Sequence, residues 1–148
     1  MKNKEEDFYK SLRIKINKWV KSDEGNTHKY VEYILVTPDF FYVLWQLMLD
    51  ERIPYEFKMK VGLVVAYFIS PIDLIPEAVV GPIGYLDDVA LSAGLLNKMM
   101  EDSGDIVEEH WKEVSDINLL KLIKSILKIV DNLIGKGMWD RLRGKFDI

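Results

Sequence analysis

Cysteine is absent from this chain, which removes disulfides, thiol nucleophiles and thiolate metal sites and suits a reducing compartment. Histidine is nearly absent. His28 and His110 stand far apart, each in a polar setting, so both are expected at the surface and neither as base or ligand. No G-x-S-x-G, Walker A loop, G-x-G-x-x-G behind a strand or H-E-x-x-H occurs, so the commonest hydrolase, nucleotide and zinc sites have no anchor. Positive charge is not in excess either. A net charge of −4 argues against a general nucleic-acid binder, which would be basic. Long uncharged apolar runs are missing too. The 12 residues between Lys60 and Asp73 span about 18 Å as helix, against the ~30 Å of a bilayer core. Extending that run to Leu86 takes in Asp73, Glu77 and three prolines, which excludes one straight span. A re-entrant hairpin covered by other helices is the membrane alternative. The opening MKNKEEDFYK is too acidic and polar for a secretory signal, so a cytoplasmic chain is expected, with contact to or insertion in a membrane as the variant.

What is present is helix. Of 148 residues, 49% are apolar and 30% charged, the profile of a folded chain long enough for one domain spanning 1–148. Residues 1–29 carry eight Lys/Arg against five acids, and residues 30–100 carry four against nine; the basic arm reads as a solvated helix face. Phe8, Leu12, Ile16, Trp19 and Val20 share one face of a helix over 5–20, and 22–28 is a polar break. A short helix over 28–36 gives way to Thr37-Pro38-Asp39, with Thr as N-cap and Pro at the first helical position. The helix that follows, through Leu49, is apolar on nearly all sides and should be buried. Residues 50–54 break it, 55–69 form another mostly apolar helix, and 85–100 a further one. The cleanest pattern lies at 117–134. Ile123, Ile126, Leu127 and Val130 fall in its apolar half, Lys121, Lys124 and Lys128 at the centre of the other, and Gly135 and Gly137 stop it. The fold class is all-α, a compact bundle of six or seven helices. Trp19, Trp45, Trp111 and Trp139 are expected as core anchors.

The stretch SPIDLIPEAVVGPIGYLDD, residues 70–88, concentrates three prolines, two glycines and four carboxylates in an apolar context. Each can be read as punctuation. Ser70, Pro71 and Asp73 have the form of a helix start with a capping box; Pro76 and Glu77 repeat the device one turn later; Gly81-Pro82 ends the piece, and Gly84 releases the chain into a helix whose first turn holds Asp87 and Asp88. Acids at helix N-termini are favoured by the macrodipole. The result is a broken-helix corner at 70–84. Asp73, Glu77, Asp87 and Asp88 also form an oxygen-only set that could take Mg²⁺ or Ca²⁺, although their spacing matches no EF-hand loop. Adjacent helix residues point about 100° apart, which makes Asp87-Asp88 a poor acid/base pair.

These residues carry a resemblance. AYFISPIDLIPEAVVGPIGYLDD resembles the signature of the YkvA family, also called the DUF1232 domain, a pattern close to YxxSPIDLIPD/E followed by G-Y/F-L-D-D. The preceding LDERIPYEFKMKVGLVVAYF is also similar, so the likeness covers about 49–97. Its signature positions here are Ser70, Pro71, Asp73, Leu74, Pro76, Glu77, Gly84, Asp87 and Asp88, with Glu77 where the family usually has Asp. The longer spacing before Gly84 is similar to the branch seen in an endoplasmic-reticulum RING-type ubiquitin ligase, where the domain lies in a membrane region. The resemblance implies a fold and a membrane connection but no reaction. The expectation is a non-enzymatic binding or adaptor protein without a cofactor, acting through a protein partner, a second copy or a membrane surface. Nucleic acid and a small-molecule substrate are not expected. The competing class is a divalent-metal-dependent enzyme built on Asp73, Glu77, Asp87 and Asp88.

Overall fold

A computed structural model describes residues 4–69 and 85–148. Within them the chain is helical, without strands: α1 (Lys4–Val20), α2 (Asp23–Thr27), α3 (Val31–Leu35), α4 (Thr37–Leu49), α5 (Tyr55–Ile69), α6 (Leu86–Trp111), α7 (Leu119–Lys128), α8 (Val130–Ile134) and α9 (Lys136–Phe146). Six of these run ten residues or more and three are single turns, in keeping with the all-α expectation.

The apolar helix α4 is the axle of the fold. Phe40, Phe41, Val43, Leu44 and Leu47 on it are fully enclosed, each side chain contributing about 1.5–3 kcal/mol by leaving water. Its aromatic rings key it to three neighbours. Phe41 meets Phe8 of α1 at 4.9 Å and Phe68 of α5 at 5.3 Å between centroids, and Phe40 meets Trp111 of α6 at 5.6 Å. α5 packs beside α4, and α6 lies against both. One apolar cluster extends from Leu12 on α1 to Phe146 on α9.

The most amphipathic helix behaves as its pattern dictates. Ile123, Ile126 and Val130 are buried, Leu127 is half-buried, and Lys121, Lys124 and Lys128 are exposed. α6 lies against α7 and covers its apolar half from within the chain.

Several boundaries differ from the sequence reading, each for a local reason. The polar stretch 22–28 holds a helical turn, α2, because the Ser22 hydroxyl accepts from the Gly25 N–H and caps it. Thr37 does not cap α4. The preceding Val36 is still in the helical region (φ −86°, ψ 0°), so α3 runs almost directly into α4 and the Thr37 hydroxyl is buried without a hydrogen bond. α6 does not stop near residue 100. It bends at Ser103 (φ −129°, ψ 25°) and continues to Trp111. The 117–134 segment is broken at Ile129 into α7 and α8. Gly135, at φ 89°, does end α8, but Gly137 lies inside α9. α9 docks through Trp139, which packs against Ala90 and Val130. A Cβ at Gly94 would stand 2.9 Å from that indole, so only glycine admits this approach. Of the tryptophans, Trp45, Trp111 and Trp139 are buried and Trp19 is half-buried, consistent with anchoring roles. Among the described residues no helix is long and apolar enough to cross a membrane.

Candidate functional site

Most of the corner singled out by the sequence, namely Ser70, Pro71, Asp73, Leu74, Pro76, Glu77 and Gly84, lies outside the described residues, and its capping scheme with it. Asp87 and Asp88 are described. Both are completely buried in the first turn of α6. The Tyr67 hydroxyl of α5 donates to Asp87 Oδ2 at 2.8 Å, and the Asp88 N–H donates to Asp87 Oδ1 at 2.9 Å. Asp87 thus accepts from one backbone N–H and from one tyrosine hydroxyl. Tyr67 also stacks edge-on against Phe146 of α9, 5.6 Å between centroids. Asp87 therefore fastens α6 to α5, with α9 lying against the same tyrosine. A carboxylate so engaged has part of its acceptor capacity taken up within the chain.

A second polar assembly was not legible as a site. The 50–53 turn after α4 meets the end of α6 and the residues just beyond it through Asp50, Arg52, Glu109, His110 and Glu113. His110 is not a surface residue as its polar setting suggested. Its side chain is 13% exposed, with Nε2 2.8 Å from Asp50 Oδ2 and Nδ1 2.9 Å from Glu113 Oε1. The reason is the length of α6, which carries residue 110 beneath the α4–α5 turn. Both ring nitrogens face carboxylate oxygens, an arrangement that favours the doubly protonated ring. Burial lowers its pKa, but the hydrogen bonds and charges of Asp50 and Glu113 prevail and the net shift is upward. Hydrogen bonds from Arg52 and His110, opposed by burial, hold the Asp50 carboxyl far below its usual range.

Asp50, Glu109 and His110 offer ligand atoms within 4.8 Å of one another, a group that could in principle hold a metal ion. The Arg52 guanidinium fills that position, donating to Asp50 Oδ2 at 2.7 Å and to Glu109 Oε2 at 2.5 Å. The carboxylates are neutralised by an organic cation already in the chain, and a metal would have to displace it. Asp39, in the first turn of α4, is also displaced from its normal range. Burial raises it to about 6, against a weaker pull from Arg13.

The third feature is a surface. Tyr55, Met59 and Leu63 follow one another at helical spacing along the outer face of α5, with exposures of 75%, 52% and 55%, and Ala66 continues the row. No charged side chain interrupts it. Beside the row lies a groove of about 530 Å³ between α5, Met48 of α4 and the start of α1, floored by Gly62 and Ala66 with Val65 and Ile69 beyond, and with Lys4 and Glu5 at its rim. A Cβ at Gly62 would find nothing nearer than Met48 Sδ at 4.0 Å, so packing within the chain does not require glycine there. A contiguous apolar row beside an apolar groove is unusual for a surface with no partner.

The sequence model described as "Protein of unknown function (DUF1232)" matches residues 58–93, a segment running from α5 to the first two turns of α6. The chain is also similar to "Uncharacterized protein ORF9" of Methanothermobacter thermautotrophicus, 26% identical over 112 residues that make up 75% of this chain and 73% of that protein. No solved structure matches.

Proposed function

Taking the chain as a protein of the DUF1232 family, we propose that it works by binding a protein surface through the outer face of α5, and that it is not an enzyme. The observation that carries this reading is the uncovered row of Tyr55, Met59 and Leu63 beside the Gly62–Ala66 groove. Large exposed aromatic and flexible apolar side chains next to a depression are the elements from which interface hot spots are built. The polar groups that could suggest chemistry support it in a different way. Asp87 is engaged by Tyr67, and Asp50 and Glu109 are engaged by Arg52, so their chemistry is spent on holding helices together. The net charge of −4 also favours a protein over an anionic membrane as the contact.

The test is Leu63→Asp in the full chain. The variant should melt at the wild-type temperature and lose the protein complexes that the wild-type chain forms, as read by size-exclusion of purified protein and of cell extract. Complexes that persist in the variant contradict the α5 face. Wild-type binding to phosphatidylcholine or phosphatidylglycerol vesicles that Leu63→Asp abolishes would replace the protein surface by a membrane. A rise in melting temperature with added Mg²⁺, Ca²⁺ or Zn²⁺ would return the metal-dependent class to contention.

A further inference from the structure

We infer that the occupant of the α5 face is the α5 face of a second copy, paired antiparallel about a two-fold axis close to Met59. This rests on the binding reading above and names its partner. A two-fold interface needs one patch to hold both a projection and a matching depression. This patch does: Tyr55, Met59 and Leu63 project, and Gly62 with Ala66 forms the depression.

The register follows from the sequence. Two antiparallel helices facing each other across such an axis keep the same lateral edge together while their directions oppose. With the axis beside residues 58–59, Tyr55 stands opposite Gly62 of the second copy and Met59 meets its own counterpart. The same register sets Glu56 opposite Lys60 of the second copy. At about 100° per residue these two lie on the same edge of the apolar row. The three pairings agree to within about two residues, or ~3 Å of helical rise. Steric fit and charge thus select one alignment independently. Lys60 is prepared for that role. Its Nζ donates to the Asp147 carbonyl at 2.8 Å and lies 3.4 Å from the Asp147 carboxylate. The ammonium is therefore positioned by the chain's C-terminal end and keeps a proton for Glu56 of the second copy. Gly62 gains a reason it lacks within one chain, because the second copy's tyrosine ring occupies the space a side chain would take.

The experiment uses the purified full chain. Sedimentation velocity across a concentration series should show a monomer–dimer equilibrium. Gly62→Trp fills the depression from a position where a Cβ meets nothing nearer than Met48 Sδ at 4.0 Å, and should give monomer at all concentrations with the melting temperature of dilute wild type. Glu56→Lys should weaken the dimer about tenfold by setting like charges together, and Glu56→Lys with Lys60→Glu should restore it. Because the chain has no cysteine, Met59→Cys introduces a single thiol. It should oxidise to a disulfide-linked dimer far faster than Glu101→Cys on α6. A wild-type chain that is monomeric throughout, or thiols that cross-link at equal rates, overturns self-pairing. If Leu63→Asp still abolishes complexes with other proteins in that case, the binding reading stands and only its partner changes.

Discussion

α5 and α7 are both strongly apolar helices, and the structure treats them oppositely. α7 carries its lysines along one line, and its apolar half is received by α6. α5 has apolar side chains on nearly every side. Phe57, Val61, Val64 and Phe68 enter the core while Tyr55, Met59 and Leu63 face outward. An amphipathic helix reports one buried face, and that face is satisfied within the chain. A helix apolar all round reports two, of which this fold covers one. The surplus on α5, not the sharper pattern on α7, is the surface that the proposed binding uses.

The contrast can be broken by substitution. The largest effect is expected at α7. Ile126→Asp places a carboxylate in a fully enclosed site and should cost on the order of 4 kcal/mol or more, enough to unfold the domain in a urea titration. A folded variant of near-normal stability would mean that α7 is not core.

Next comes the α5–α6 junction. Tyr67→Phe removes the hydroxyl that donates to the buried Asp87 and should cost about 1–3 kcal/mol of unfolding free energy. An unchanged denaturation midpoint would show that Asp87 does not depend on Tyr67.

The pH profile should have two limbs from the turn cluster and one opposing trend. His110 has a folded pKa raised above its unfolded value. Its contribution is complete below the unfolded pKa of about 6.5 and is lost as pH rises through the folded one. Asp50 has a depressed folded pKa, so its contribution is present above about 3.9 and falls away in more acid solution. Asp39 is raised to about 6 by burial, so its ionisation weakens the fold as pH climbs from about 4 towards 6. Asp39→Asn should therefore raise the melting temperature at pH 7 and leave it unchanged near the acid end. An equal shift at both ends would remove the buried-carboxyl account. His110→Gln should flatten the alkaline limb.

The smallest effect on folding is expected on the outer face of α5. Leu63→Gln should change stability by no more than about 0.5 kcal/mol in chemical denaturation, as exposed positions do. A loss several times larger would place Leu63 in the core and remove the distinction between the two helices.

Much of the architecture was legible because helical periodicity is explicit: the helices over 5–20 and 37–49 appear close to their expected bounds, and the 117–134 pattern survives as α7 and α8 with Ile123, Ile126 and Val130 buried. Two misreadings had one cause. In Glu101-Asp102-Ser103-Gly104-Asp105 and in Gly135-Lys136-Gly137, small and polar residues look like endings, whereas the first is a bend within α6 and the second only a joint before α9. Ending α6 early hid the site of His110, since nothing local to residue 110 announces that Asp50 will lie beside it. For the Asp50–Arg52–Glu109 group the only sequence signal was opposite charge at the ends of distant segments, which is too common to select a pair. The α5 surface was hidden differently. When every side of a helix is apolar, no polar residue marks the side that the fold leaves open.

The central claim is that the outer face of α5 is covered by the same face of a second copy in the working state. Oxidation by dilute peroxide reads this directly, because Met59 is 52% exposed in the isolated chain and Met99 is fully enclosed. The account predicts that Met59 sulfoxide forms readily in dilute protein and slows towards the Met99 rate as concentration rises, with Gly62→Trp abolishing the protection. Met59 oxidising at one rate across the whole concentration series, in wild type and variant alike, would contradict it.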